Sequence, residues 1–152
     1  MQAPVTAGRA VRTGTLYAAI AVLAVAGMAV SSLSLYHHFS KSKTSFCNFA
    51  QSFDCDLVNR SQYSTFHKVP VALLGILGYL LILSLATVYR EKAETPLILS
   101  AGALGGLGFA LYLTYIEGFI LHAWCILCLS SLALITVIAL LAARNALKAL
   151  KN

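Results

Sequence analysis

Long apolar blocks separated by short polar ones set the pattern of this chain. Four stretches, Thr15–Tyr36, Val69–Tyr89, Pro96–Ile116 and Phe119–Ala143, contain no Lys, Arg, Asp or Glu. Each is 21 to 25 residues long, enough at ~1.5 Å per residue to cross ~30 Å of hydrocarbon. The apolar residues come in blocks rather than at regular intervals, so the pattern predicts an all-α, membrane-embedded bundle of four transmembrane helices over residues 15–143. Residues 1–14 and the basic tail 144–152 then form cytoplasmic ends. A polar stretch at about residues 37–68 becomes a long extracytoplasmic loop between helices 1 and 2. Arg9 and Arg12 precede the first block as they would a secretory signal. A signal's apolar core usually spans ~7–15 residues, and this block has 22, which predicts a retained helix.

Composition agrees with the pattern. The 152 residues are 59% hydrophobic and only 11% charged, with a mean hydropathy of +0.81. A soluble domain of this size would expose large apolar patches. Charge then fixes the expected orientation. An even number of spans puts both termini on one side with the Arg90–Glu94 turn. That side carries seven basic residues (Arg9, Arg12, Arg90, Lys92, Arg144, Lys148 and Lys151) against four opposite (Lys41, Lys43, Arg60 and Lys68). Basic residues favour the cytoplasm, so the long loop faces outward. The net charge of +6 reads as topology; no basic cluster interleaved with aromatics marks a nucleic-acid surface.

Smaller features add detail. Gly102, Gly105, Gly106 and Gly108 in the third block, and Gly75 and Gly78 in the second, predict close helix contacts. Asp54 is placed to cap a short loop helix from Cys55 toward Phe66, with Tyr63 and Phe66 on one face over the mouth of the bundle. Glu117 is expected at the water boundary. His122 and Trp124 are expected as anchors at the outer interface.

The four cysteines carry the candidate chemistry. Cys125 and Cys128 stand three apart near the outer end of the last block, on one helical face. Cys47 and Cys55 lie in the long loop, on the side where disulfides persist. Two dithiols within reach can pass two electrons by thiolate attack on a disulfide. A dithiol at membrane depth needs a lipid-soluble acceptor. No histidine deep in a block offers a haem ligand, and no glycine-rich phosphate loop follows a strand, so a quinone is the acceptor reached by elimination. Two other classes remain open: a metal-handling protein in which His37, His38 and His67 join the thiols, and a structural four-span protein with one outer disulfide. The 47/55 spacing is not that of a zinc site, so no metal is expected.

Several motifs carry a family resemblance. Cys47 and Cys55 have seven residues between them, and Ser61 follows six residues later. Val69-Pro70-Val71-Ala72-Leu73-Leu74-Gly75-Ile76-Leu77-Gly78-Tyr79 opens the second block. Tyr112-Leu113-Thr114-Tyr115-Ile116-Glu117 and then His122-Ala123-Trp124 lead into Cys125-Ile126-Leu127-Cys128. The chain resembles the vitamin K epoxide reductase family, in its prokaryotic branch of quinone-dependent disulfide-forming enzymes, over nearly its whole length.

That resemblance implies a quinone-dependent protein-disulfide oxidoreductase of the bacterial inner membrane. Cys125 and Cys128 would be the active pair, with Cys128 next to the quinone (ubiquinone or menaquinone). Cys55 would exchange with Cys125, and Cys47 would meet an extracytoplasmic thioredoxin-like partner that oxidises secreted proteins. Many bacterial members carry that partner fused after the last span; this chain stops at Asn152, so a separate protein is expected. Ser61 matches a serine near the quinone in the family. The vertebrate enzymes have a vitamin-contacting asparagine near the start of the second span and a tyrosine four residues after the Cys-x-x-Cys. Here those places hold about Val71 and Leu132, which favours quinone over epoxide reduction, with the vitamin K epoxide reductase activity proper as the alternative. The C-terminal Lys148-Ala149-Leu150-Lys151-Asn152 lacks dilysine retention spacing, which favours a bacterial membrane. The other four-helix bacterial disulfide oxidase has its two cysteine pairs in the opposite order, which argues against it.

Overall fold

The computed structural model describes residues 3–40 and 50–151 and is mostly helical. Four long helices dominate it: α1 (Ala3–Phe39), α3 (Val71–Thr87), α4 (Thr95–Ile116) and α5 (Ile126–Lys151). Between α1 and α3 lie the six-residue α2 (Cys55–Arg60), a 3-10 turn at Gln62–Ser64 and a two-stranded hairpin, β1 (Thr65–Phe66) and β2 (Val69–Pro70). Three segments, Arg12–Phe39, Thr95–Leu121 and Ile126–Lys151, are long and apolar enough to cross a membrane. This is an integral membrane protein. α3 is equally apolar but has 17 residues, about 25 Å of helix.

The helix boundaries differ from the apolar blocks in instructive ways. The fourth block does not form one span from Phe119. Residues Glu117–Leu121 instead extend α4 as a π-helical turn, and His122 then takes a left-handed backbone with φ of 51°. A residue with that backbone cannot continue a right-handed helix, so the chain turns and α5 starts afresh at Ile126. At its other end α5 continues through the basic tail to Lys151. The loop helix also stops early. Asp54 does cap it, its carboxylate accepting from the Leu57 amide at 2.9 Å, but α2 ends at Arg60. Tyr63 therefore lies in the 3-10 turn and Phe66 on β1, not on one helical face. The hairpin turns at His67 and Lys68, both at positive φ, as a two-residue turn between twisted strands requires. A small strand pair thus interrupts the expected all-α pattern.

α1 packs along α3 and α5, α5 packs along α4, and α3 touches α4 much less. The buried seam of α1 runs Tyr17, Ile20, Ala24, Gly27, Ser31 and Ser34 at alternating three- and four-residue steps, a coiled-coil-like stripe. Its first half joins the main core, with Tyr79, Ile82, Leu99, Ala103 and Ile138. Within that core Asn145 Nδ2 donates to the Tyr17 hydroxyl at 3.0 Å, and Tyr79 Oη lies 2.9 Å from Ser131 Oγ. The glycines divide into two groups. A Cβ on Gly75 would meet Ser31 Oγ at 2.8 Å, and one on Gly106 would touch Ile135. Gly78, Gly102, Gly105 and Gly108 have nothing within 4 Å of such a Cβ, so they do not mark close helix contacts. The tightest approach is at Gly27, which the glycine pattern of the second and third blocks does not point to.

Candidate active site

A backbone bridge joins the loop between α1 and α3 to the start of the last helix. The Trp124 amide donates to the Ser52 carbonyl at 2.9 Å, and the Asp54 amide donates to the Trp124 carbonyl at 3.2 Å. Phe53 and Trp124 form a parallel β-bridge. Gly118 lies flat beneath the indole, where a Cβ would approach Trp124 to 3.0 Å. Trp124 is therefore a clamp within the protein.

Two candidate cysteines flank this bridge, Cys55 two residues after Phe53 and Cys125 directly after Trp124. Cys55 opens α2, and Cys125 immediately precedes α5. Both are wholly shielded from solvent, in one apolar cluster with Val58, Ala123 and Leu127, against which Cys128 also packs. Cys55 is disulfide-bonded, while Cys125 and Cys128 carry free thiols. Cys47 lies outside the described residues. Cys128 sits in the first turn of α5, so the three-residue spacing brings its thiol beside that of Cys125.

Polar groups from three elements converge on the free pair. Asn59, buried on α2, accepts from Ser34 Oγ at 2.7 Å and places its Nδ2 3.9 Å from Cys125 Sγ. Its main-chain carbonyl meets His38 Nδ1. Glu117 is the second surprise. It is only 2% exposed, so it does not mark a water boundary. Its Oε2 accepts from the Cys125 amide at 3.2 Å, which sets its carboxylate close to the Cys128 thiol. The π-helical turn accounts for this placement, because its wider ring carries Glu117 back beneath the start of α5.

Cys128 and Ser61 line the same cavity, of about 240 Å³. Its wall is mostly apolar, with Leu74, Leu81, Phe109 and Leu113 facing a polar end formed by Ser61, Asn59, Tyr63 and Glu117. Ser61 Oγ donates to the Val58 carbonyl at 2.9 Å, which steadies the end of α2 and leaves the oxygen lone pairs as acceptors. Gly78 and Gly102 also line the cavity, which explains why a Cβ there would meet open space. Val71 is on the wall and Leu132 is not. The volume falls just below the ~300–1,000 Å³ usual for drug-sized ligands, which suits a small ring. Among the described residues no group of three or more His, Cys, Asp or Glu is arranged to hold a metal ion.

Sequence reading named Cys55, Cys125, Cys128 and Ser61, and it did not name as site residues Ser34, Asn59 and Glu117, which the structure gathers around them. A signal was present for two of them: polar side chains within an otherwise apolar span are rare and tend to face function. Both the Cys-x-x-Cys pair and the loop that meets it fall within residues 18–143, the segment that matches the model of the vitamin K epoxide reductase family, and the chain belongs to that family.

Proposed function

We propose that this protein oxidises thiols outside the membrane and passes their electrons to a membrane quinone. Family members are oxidoreductases whose redox chemistry uses quinone. An extracytoplasmic thioredoxin-like protein reduces the loop pair Cys47 and Cys55. Cys55 then attacks the Cys125–Cys128 disulfide at Cys125, releasing Cys128 as thiolate, and Cys47 resolves the mixed disulfide by attacking Cys55. The resulting Cys125/Cys128 dithiol gives two electrons to the quinone in the cavity, with Ser61 beside the ring. α3 makes the fourth crossing, which puts both termini in the cytoplasm of a bacterial inner membrane.

The observation that carries this reading is the shared burial of Cys55 and Cys125 beside the Phe53–Trp124 bridge, with Cys128 on the cavity wall. An oxidised Cys55 together with free Cys125 and Cys128 matches the stage at which electrons have reached the inner pair.

Replacing Cys128 by Ala tests it twice. Anaerobic addition of quinone to the reduced wild-type protein should consume four thiols, and the variant should reduce no quinone. With Cys47 replaced as well, so that no thiol remains to resolve it, Cys55 and Cys125 should rest as a stable disulfide under oxidising conditions. With a specific protease site placed in the Arg90–Glu94 turn, the cut halves should stay joined on a denaturing gel until reductant is added. Halves that separate under oxidising conditions without reductant would show that the two pairs do not exchange.

A further inference from the structure

The reaction of the inner pair requires proton movement that the thiols alone do not provide. Oxidising the dithiol forms the Cys125–Cys128 bond, releases two electrons and frees two protons. The quinone takes both electrons, and each of its two oxygens takes a proton. In an apolar cavity those protons need a carrier, because charge left there without one is costly.

One group on the cavity wall suits that task. Glu117 holds the Cys125 amide at 3.2 Å through Oε2, which puts its carboxylate near Cys128, and it lines the cavity that Cys128 also lines. The other titratable groups on that wall are His38, Tyr63 and Tyr79. Among the described residues, Glu117 is the only carboxylate on that wall, and no Lys or Arg lines the cavity to hold it as an ion pair. Tyr79 is committed to Ser131, and His38 to the Asn59 carbonyl. A buried carboxylate without a cation in such a place is a proton-handling group rather than a structural one.

We infer that Glu117 is a catalytic residue, taking the Cys128 thiol proton as that sulfur gives up its electrons and passing it to a quinone oxygen. This rests on the quinone-linked reading above. The Cys125 proton leaves to water, and the second quinol oxygen draws its proton from water, so electrons and protons balance.

The test is single-turnover reduction of a short-tailed quinone by the pre-reduced full chain in detergent, between pH 6 and 9. Removing a positioned general base typically costs ~10²–10⁴-fold. Glu117→Gln keeps the shape and should slow the step by about 100-fold at pH 7, with the rate recovering steeply as pH rises and hydroxide replaces the carboxylate. Glu117→Asp should keep the shallower wild-type profile at a reduced rate. A second readout uses the wild-type protein alone. With glutamate labelled by carbon-13, infrared difference spectra between dithiol and disulfide forms should show a carboxyl change. The chain has three glutamates, and Glu91 and Glu94 are exposed in the far turn, so a buried-carboxyl signal belongs to Glu117. A Glu117→Gln rate equal to wild type, a slowing by one constant factor at every pH, or an unchanged carboxyl spectrum would each overturn the inference. Failure of the wild-type protein to reduce quinone would instead overturn the underlying reading.

Discussion

At the scale of single residues, the tightest constraint is a hydrogen atom in place of a methyl group. A Cβ at Gly27 would sit 2.3 Å from the Tyr79 ring, and that ring is held by its hydroxyl at Ser131. Gly27→Ala would gain up to ~1 kcal/mol of helix propensity. Against this, the ring must move, at ~1–3 kcal/mol for overpacking and ~1 kcal/mol for the loosened hydrogen bond. The contact wins. The thermal midpoint of the detergent-solubilised variant should fall, whereas Gly14→Ala, with nothing within 4 Å of the added carbon, gains the propensity unopposed and should hold or raise it. Equal midpoints for both would mean that α1 and α3 are not pressed together at this point. Gly27 was not legible beforehand, since nothing in its own neighbourhood announces an aromatic ring fifty residues away.

At the scale of elements, the same helix seam serves two purposes. α1 buries apolar residues against the core through Ala24 and then presents Ser31, Ser34 and His38 to the cavity. The glycines of α3 and α4 follow the same division. Gly75 and Gly106 meet neighbours, while Gly78 and Gly102 leave space. Gly78→Leu should therefore fill part of the cavity without disturbing the bundle. One methylene in an apolar pocket is worth roughly 10–200-fold in discrimination, so the KM for a soluble quinone should rise about tenfold or more with the thermal midpoint preserved. An unaltered KM would place the quinone elsewhere. The sequence pattern gave glycines on both helices the same meaning, because periodicity tells which residues share a face and not what that face meets.

At the scale of the whole molecule, orientation decides whether the relay faces its donors. The seven-to-four excess of basic residues on the side of the termini motivates the expected topology, provided that α3 completes the fourth crossing. Its 17 residues lie at the short end of the ~17–25 that span a bilayer. In intact bacterial cells expressing the protein, a membrane-impermeant thiol reagent should label reduced Cys47 without permeabilisation. Labelling only after the membrane is opened would reverse the orientation. Labelling of an added cysteine in the Arg90–Glu94 turn on the same side as Cys47 would instead remove one crossing.

The sequence by itself determined the membrane character, the helical blocks and the presence of two thiol pairs. Those follow from properties local to each stretch: solvation of side chains in lipid, and a three-residue step that puts two sulfurs on one helical turn. The tertiary structure alone decided how these parts meet. It broke the last apolar block at His122, buried Glu117 beside the free pair, and brought Asn59 to Cys125 across 66 residues of chain. It also set Cys55 and Cys125 in one cluster through a bridge at Trp124, which local pattern had placed as an interfacial anchor. The reason is physical: a π-turn, a left-handed residue and a two-strand bridge are each stabilised by contacts distant in sequence, and no local periodicity records them.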